Sequence, residues 1–391
     1  MKRFDLIKEY NKTISDSNIV KLLFKIHEYK GKQPFLIDTK KRTLDTLLNV
    51  AKIQSTSASN KIEGINVADK RINGLINQKL EPKNRNEEEV AGYRDALSII
   101  HENYEYIEIN KETILKLHKI LYKYTGYEFG GQFKKTQNCV TQLNEKGEKI
   151  IRFKPLSPEE TPDAIEDLCD SYNDLVSSEY CDQLLLIPIF IFEFLSIHPF
   201  DDGNGRLSRL LTLLLLYKAD YLVGKYISIE KIIEDTKDSY YDALKKSSNN
   251  WHNSENNYTY FVSYYLGILL NAYREFDSRI SITVNKRVKS YDRIKTLFKE
   301  TIIPINKSFI INRCPDLSET TIERVLNKLL REKKITKISG GRYTKYVWNN
   351  DKNTDEINEI KKNPWGGIKK NIVIFKLVFI WYKTHLMIKL T

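Results

Sequence analysis

The strongest constraint on the fold is a pair of apolar segments, residues 184–197 and 206–217, that flank a short polar loop. Both segments are too long for ordinary strands and carry few charges, so each predicts a buried helix. Pro188 lies early in the first segment, where a helix tolerates proline in its first turn. Apolar periodicity predicts further helices over residues 6–29, 43–53, 87–100, 111–124, 163–176 and 258–276. The predicted fold class is therefore mainly α.

Residues 133–153 interrupt this helical pattern. Apolar residues on both sides of a turn-rich stretch at 144–147 predict a β-hairpin inside the helical chain. Asn110 is a good cap for the helix that precedes this region, and Asn86 or a neighbour can cap the helix before that.

The pattern changes again after residue 278. A helix over 307–311, a second helix over 318–331 with Ser318 as its cap, and two strands around Gly340 and Gly341 predict a winged helix. We therefore divide the chain into an N-terminal helical region (1–85), a core (86–277), a winged-helix domain (278–350) and a tail (351–391).

The tail contains an apolar stretch, residues 371–390, that lysines interrupt at Lys376, Lys383 and Lys389. A membrane-spanning helix needs about 20 apolar residues with few charges. We expect no membrane role, and interpret the stretch as a tail that packs on the body or as sequence foreign to the fold.

The charge balance favours acidic partners. Lys and Arg number 63 and Asp and Glu number 51, a formal net charge of +12. Nucleotides and nucleic acids fit that balance, although many lysine-rich proteins bind neither. The four cysteines show no metal-ligand spacing, and the N-terminus carries no apolar signal sequence. Both features predict a cytoplasmic protein with free thiols.

The polar loop between the two apolar segments has the composition of an anion site. Gly203 and Gly205 let backbone N–H groups turn inward, and the following helix N-terminus adds a positive dipole. Arg206 and Arg209, three residues apart, project from neighbouring faces of that helix. Separately, each residue has an ordinary explanation: a turn, a solvated face or a structural histidine. Together between two apolar helices, they favour a phosphate site.

Two further residues complete the predicted chemistry. Asp202 offers a hard oxygen ligand, which suits Mg²⁺ bridging phosphates. His198, at the end of the preceding helix, can accept a proton from an incoming hydroxyl group.

Residues 198–209, HPFDDGNGRLSR, resemble the signature of the Fic family, HPFx(D/E)GNGRxxR, at every defined position. The similarity extends over roughly residues 40–276, with a winged helix appended as in many bacterial members. The resemblance implies a helical Fic fold that transfers AMP from ATP and Mg²⁺ to Ser, Thr or Tyr hydroxyls of proteins, including itself.

The resemblance also implies residue roles. His198 would be the general base, Asp202 the metal ligand and Phe200 a core residue. The γ-phosphate would bind Arg209, Arg206 would help neutralise phosphate charge, and Asn204 with the Gly203 and Gly205 amides would hold the α- and β-phosphates. The full implied phosphate-binding set is Gly203, Asn204, Gly205, Arg206 and Arg209.

Residues 133–153 resemble the family's flap, which aligns the target protein's main chain and includes Val140. Lys134 stands where an arginine is common. Tyr240 and Tyr241 resemble the adenine-pocket motif, although packing in a helical core explains them too. The asparagine often found eight positions later is Ser248 here, with an asparagine next to it.

Residues 59–64, SNKIEG, match the family's inhibitory pattern (S/T)xxxE(G/N). The resemblance places Glu63 against Arg209, with Ser59 at the start of the pattern, so that the γ-phosphate loses its clamp. An ordinary solvated glutamate is the alternative. In some members this glutamate is tied to removing AMP, which leaves a two-way enzyme open.

Other functions stay open at this stage. The core could sense nucleotide within a transcriptional regulator, but sensing needs neither His198 nor Asp202. Kinase-like transfer is disfavoured because Gly205 keeps the AMP-transfer form. Helix 319–332 with nearby basic residues could read DNA, or the domain could dock a protein. The basic residues near this helix are Lys333, Lys334, Lys337, Arg342 and Lys345. The identity of the target protein and the formation of a homodimer are left undecided.

Overall fold

The computed structural model describes residues 6–39, 41–77, 80–143, 149–284, 289–301, 304–314, 316–338 and 344–349. The chain divides into two compact units between Ser281 and Ile282. The first unit holds the helices predicted for both the N-terminal region and the core. The four-part division stays a prediction, and the tail lies outside the described residues.

The first unit is built almost entirely of helices. They are α1 (Leu6–Ile14), α2 (Ser17–Thr39), α3 (Lys41–Ile62), α4 (Asp69–Ile76), α5 (Arg85–Asn103), α6 (Lys111–Leu121), α7 (Thr161–Ser177), α8 (Gln183–Ile197), α9 (Asn204–Lys218), α10 (Ile229–Asp235), α11 (Lys237–Ser247) and α12 (Thr259–Val284). The mainly helical fold class is therefore confirmed.

Helices α8 and α9 lie at the centre and pack against each other. Nearly every residue of both helices is buried, because an all-apolar helix needs other helices on all its faces. Asp182 caps α8 by accepting the Leu184 N–H at 2.9 Å. The helix therefore begins at Gln183 and places Pro188 in its second turn, not in the first turn as predicted.

Several predicted helix boundaries differ from the observed ones. The helix predicted over 6–29 is two helices, with Asp16 accepting the Asn18 N–H between them. Asn84, not Asn86, caps α5, whereas Asn110 caps α6 as predicted. Helix α3 runs well beyond residue 53 to Ile62. This extra length brings Ser59 of the 59–64 segment into contact with α9.

The predicted hairpin is present as β1 (Val140–Leu143) and β2 (Lys149–Phe153), which pair antiparallel. Thr141 pairs with Ile151, and the register shifts between Val140 and Thr141. The connecting turn lies outside the described residues.

The second unit contains α13 (Ser290–Glu300), β3 (Ile305–Asn306), α14 (Lys307–Arg313), α15 (Glu319–Arg331), β4 (Ile335–Lys337) and β5 (Lys345–Trp348). The strands form an antiparallel sheet in the order β3-β5-β4. Ser318 accepts the Thr321 N–H and caps α15 as predicted. The residues that would form the tip of the wing, Gly340 and Gly341, lie outside the described part of the chain.

Among the described residues, no helix has both the length and the apolar character needed to cross a bilayer. The apolar stretch at 371–390 lies outside them. All four cysteines are free thiols, as predicted.

Burial of His101 in α5 generates a prediction about acid stability. Its side chain is 6% exposed, and burial, helped by nearby lysines, lowers its pKa to about 3. The unfolded chain therefore binds a proton at this residue between about pH 6.5 and pH 3, while the folded chain does not. Stability is lost as the pH falls through that window. We expect urea titrations to show that the free energy of unfolding falls by about 2 kcal/mol less between pH 7 and pH 5 in His101→Leu than in the parent. Equal losses in parent and variant would contradict this account.

Candidate active site

The loop between α8 and α9 leaves backbone N–H groups free at the start of α9. Gly203 precedes the helix with a φ of 84°, and the first helical N–H groups have no helical partner. A side chain at Gly203 would meet the Tyr122 ring at 3.0 Å. Glycine is thus required here both by conformation and by space. The start of α9 therefore has the free N–H groups that the predicted anion cradle requires, and anion binding there stays a prediction.

The Asn204 side chain holds this loop closed. Its Oδ1 accepts the Phe200 N–H at 3.0 Å, and its Nδ2 donates to the Phe200 carbonyl at 2.7 Å. With 2% of its surface exposed, the amide has no free face toward the cavity. The side chain of Asn204 is thus engaged within the loop, and the predicted contact of Asn204 with the α- and β-phosphates stays a prediction.

Arg206 is buried in an ion-pair network away from the cavity. Its guanidinium donates to Glu89 at 2.5 Å and to the Tyr122 hydroxyl at 2.7 Å, and lies 3.5 Å from Asp202 Oδ2. Arg206 is 1% exposed. Its charge therefore balances Glu89 and lies beside Asp202, while its part in neutralising phosphate charge stays a prediction.

Sequence reasoning missed Glu89, although a signal was available. Glu89 lies on the same face of α5 as the buried residues Tyr93, Ala96 and Ile100, and a carboxylate on an apolar face needs a buried partner. Glu89 also accepts from Arg85, which reaches within 4.0 Å of Asp202.

Arg209, one turn after Arg206, faces the cavity. Its Nε donates to the Ser59 hydroxyl at 2.8 Å, and one terminal nitrogen donates to the Ser59 carbonyl at 2.8 Å and to Glu63 Oε1 at 2.7 Å. Burial by itself would lower the pKa of Arg209, but the nearby Glu63 carboxylate raises it overall. The predicted pairing of Glu63 with Arg209 is thus present in the structure.

The Glu63 carboxylate lies over the start of α9. A Cβ atom built on Gly205 would clash with Glu63 Oε1. The end of α3 that carries Glu63 is held in place by Lys237, whose ammonium donates to the Ile62 carbonyl at 2.7 Å. A carboxylate therefore lies where a phosphate bound to Arg209 and the α9 N-terminus would lie.

His198 has the tautomer that a general base requires. It ends α8 with a φ of 51°, and its Nδ1 lies 3.2 Å from the Leu195 carbonyl. A carbonyl only accepts, so the proton is on Nδ1 and the lone pair is on Nε2. Burial lowers the pKa of His198 to about 4, which keeps the ring neutral at pH 7.

Asp202 fits the predicted Mg²⁺ ligand. Its Oδ1 accepts the Gly203 N–H at 2.7 Å, and its side chain is 50% exposed, which leaves Oδ2 accessible. The described residues contain no cluster of three or more metal-binding side chains. One carboxylate agrees with the way Mg²⁺ is commonly bound in nucleotide sites, where phosphates and water supply the other ligands.

A cavity of about 490 Å³ lies between the hairpin, His198 and Arg209, a volume within the usual range for small-molecule sites; Asp202, Gly203, Asn204 and Arg206 are not among the described residues that line it. Tyr241 is half-buried on its wall. Tyr240 is 5% exposed and also packs against Phe261 and Tyr264. A place in the adenine pocket and packing in the helical core are therefore compatible for this tyrosine. Ser248 lines the wall as well. Predicted site residues on the wall are Glu63, Val140, His198, Gly205, Arg209, Tyr240 and Tyr241.

Arg152, on β2, is a wall residue that sequence reasoning missed. Its guanidinium reaches the Tyr241 carbonyl at 3.4 Å, while its Nε has no hydrogen-bond partner among the described residues. Burial lowers its pKa. The alternation of the strand, with Ile151 exposed and Arg152 turned inward, is a signal that could have identified it.

The Glu89–Arg206 pair generates a stability prediction. Removing one partner of a buried pair leaves an uncompensated charge, which costs about 3–5 kcal/mol. We expect Glu89→Ala to lower the free energy of unfolding by that amount in urea titrations. The matched control is Glu28→Ala, which breaks an exposed pair with Lys32 (2.7 Å) and should leave stability nearly unchanged, because solvent screens exposed pairs. Similar small losses in both variants would contradict a buried network.

Comparisons with known proteins agree with this geometry. A sequence profile of the Fic/DOC family matches residues 108–216. A protein adenylyltransferase fic-1 from Caenorhabditis elegans is 29% identical over 140 residues, 35% of this chain and 25% of the relative. A protein adenylyltransferase Fic from Drosophila willistoni is 28% identical over 171 residues, 43% of this chain and 26% of the relative. The chain thus spans about a quarter of the length of these curated relatives.

The fold is shared with a solved structure. The crystal structure of a Fic family protein from Desulfovibrio desulfuricans G20 superposes with a TM-score of 0.56 at 20% identity, covering 85% of this chain and 96% of that one. Sequence match, fold and signature loop coincide on the same helices. The chain carries a Fic/DOC-family domain at residues 108–216, within a Fic fold.

Proposed function

We propose that this protein is a protein adenylyltransferase that moves AMP from ATP to a Ser, Thr or Tyr hydroxyl of a protein. One observation carries the proposal: His198, whose Nδ1 contacts the Leu195 carbonyl, shares a cavity with Gly205 at the start of α9 and with Arg209. The curated relatives bear the name protein adenylyltransferase, which supports the same reaction. A nucleotide sensor would need no such base.

In the proposed reaction the target hydroxyl oxygen attacks the α-phosphorus of ATP. An oxygen–phosphorus bond forms to the target, the bond to the β-phosphate bridge breaks, and pyrophosphate leaves. His198 Nε2 takes the hydroxyl proton, as the Nδ1–H bond to Leu195 aligns the ring. Mg²⁺, held by Asp202 and the phosphates, would neutralise charge on the leaving group.

The cavity suggests how ATP and the target would bind. The triphosphate would lie on the N–H groups at the start of α9 with its γ-phosphate at Arg209. The base would lie between Val140 and Tyr241. The target strand would pair with the flap, residues 133–153. Among the described strands, β1 of the flap pairs only with β2, so the other edge of β1 can receive the target strand. The free thiols support a cytoplasmic location for this reaction.

We further propose that Glu63 inhibits the transfer. Arg209 cannot hold both the Glu63 carboxylate and a γ-phosphate, because both ligands use the same guanidinium edge. The buried anchor at Ser59 and the Lys237 contact keep the glutamate in place. A two-way enzyme, in which Glu63 also serves AMP removal, is a second outcome that the same variants can reveal.

We predict that Glu63→Gly raises AMP transfer roughly ten- to hundredfold, since a charge-assisted pair is worth about 1.5–3 kcal/mol. The measurement is label incorporated from ATP labelled on the α-phosphate, at fixed ATP and Mg²⁺. Glu63→Asp should release transfer only partly, because its shorter side chain reaches Arg209 with poorer geometry. Parallel reactions with γ-labelled ATP should incorporate nothing, which separates AMP transfer from kinase chemistry.

Three controls make this experiment decisive. Glu102→Gly removes another glutamate from a helix end, one with 66% of its side chain exposed, and should change nothing. Adding Arg209→Ala to Glu63→Gly should abolish the gain. Adding His198→Ala should abolish labelling, since loss of a general base costs roughly 10²- to 10⁴-fold. If Glu63→Gly labels no more than the parent, Glu63 is an ordinary surface carboxylate.

A second proposal concerns the C-terminal unit, which we interpret as a winged helix that binds duplex DNA. Residues 289–349 contain 14 Lys and Arg against 6 Asp and Glu, a net charge of +8. Lys307, at the start of α14, pairs with Glu319 and Glu323 of α15 and neutralises the first turns of that helix. The exposed residues that remain along that face are Arg324, Asn327, Lys328 and Arg331.

We predict that the full chain binds duplex DNA with an affinity that falls steeply with salt. Each arginine that binds a phosphate contributes about 0.9 to the slope of log affinity against log salt, so Arg324→Ala with Arg331→Ala should reduce the slope by about 1.8. Lys21→Ala with Lys25→Ala, two exposed lysines of the first unit, should leave the slope unchanged. Absence of duplex binding even at low salt would indicate a protein-docking role instead.

A further inference from the structure

Lys134 and Asn138, which lie between α6 and strand β1, bind the loop that carries His198. The Lys134 ammonium donates to the Ile197 carbonyl at 3.1 Å, and the Lys134 N–H donates to the Pro199 carbonyl at 2.9 Å. Asn138 Nδ2 donates to the carbonyls of His198 at 3.2 Å and Phe200 at 3.0 Å. Four consecutive carbonyls, residues 197–200, therefore receive hydrogen bonds from these two residues.

The two side chains also bind each other. The Lys134 ammonium donates to Asn138 Oδ1 at 3.0 Å, which fixes the amide with its Nδ2 toward the loop. Lys134 is 2% exposed, and a buried ammonium is unfavourable unless its donors are satisfied. The buried ammonium of Lys134 therefore stabilises the carbonyl groups around it, which an apolar side chain could not do. We call Lys134 and Asn138 the carbonyl clamp.

The loop needs this clamp for two reasons. Helix α8 ends at Ile197, and the last carbonyls of a helix have no helical partners. In addition, His198 adopts a left-handed backbone conformation that is unfavourable for a residue with a side chain and persists only when its surroundings hold it. The hydrogen bond to its own carbonyl comes from Asn138.

We infer that Lys134 and Asn138 are positioning residues for His198, coupling the segment that leads into the flap to the orientation of the catalytic base. They touch neither the reacting atoms nor the phosphate cradle, and act through the backbone of residues 197–200. With the clamp in place, the His198 ring directs Nδ1–H to Leu195 and Nε2 into the cavity. Without it, the backbone can leave the left-handed conformation and the ring loses this alignment.

The kinetic test rests on the proposed transfer of AMP and uses the full chain with Glu63→Gly as the parent. Asn138→Asp keeps the size of the side chain but replaces the donating Nδ2 group with a carboxylate oxygen. That oxygen cannot donate to the His198 and Phe200 carbonyls. We expect kcat to fall about 10- to 100-fold, as a displaced catalytic group does, with KM for ATP changed less than threefold. Lys134→Met should lower kcat to a similar extent. Lys134→Arg, which keeps cationic donors at this position, should retain most of the parent's kcat.

A second measurement does not depend on the activity. In histidine-selectively ¹⁵N-labelled protein, the ring signals of His198, assigned with His198→Ala, should show the proton on Nδ1 in the parent. In Asn138→Asp and Lys134→Met we expect a mixture with the Nε2–H form. If the parent transfers no AMP, the proposed function fails while this measurement still tests the clamp.

Matched controls separate positioning from general destabilisation. Asn173→Ala removes an amide that donates to the Ile109 carbonyl at 2.8 Å, and Lys30→Met removes an ammonium that donates to the Ala219 carbonyl at 2.8 Å. Both should leave kcat and the His198 tautomer as in the parent. If Asn138→Asp and Lys134→Met lower kcat no more than these controls, or leave His198 fully in the Nδ1–H form, the inference is wrong.

Discussion

The packing of α8 against α9 is the constraint on which the rest of the site depends. Both helices are buried on nearly all faces, so neither can shift to accommodate the loop between them. The loop must therefore turn sharply, and it does so with left-handed backbone at His198 and Gly203. These two turns place a histidine at the end of one helix beside the free N–H groups at the start of the next.

Because most of the loop outside Asp201 and Asp202 is buried, its polar groups are satisfied from several distant parts of the chain. Asn204 closes the loop from within, and Lys134 and Asn138 hold its carbonyls from the flap side. His118 bridges the Gly131 N–H and the Asp202 carbonyl, and burial lowers its pKa to about 4. Each bond removes an unsatisfied buried group and also fixes the site's geometry.

The two arginines of α9 show how burial separates roles that sequence spacing leaves equivalent. Arg206 meets Glu89 inside the core and is neutralised there permanently. Arg209, one turn later, faces the cavity and binds Glu63, a carboxylate with 32% of its side chain exposed. A buried pair stabilises the fold, whereas a pair at the cavity wall can exchange its acid for another anion. Only the second arrangement is suited to regulation.

Much of this protein was predictable from its sequence by local rules. Apolar length and periodicity predicted the two central helices, capping chemistry predicted the starts of α6 and α15, and apolar residues on both sides of a turn-rich stretch predicted the hairpin. The loop composition predicted an anion cradle at the start of α9, with Asp202 and His198 beside it. Only the tertiary structure decided which side chains meet. The Asn204 amide turned inward, Arg206 paired with Glu89, and Lys134 reached the loop, because burial and distance between segments remote in sequence are set by packing, which no local pattern encodes.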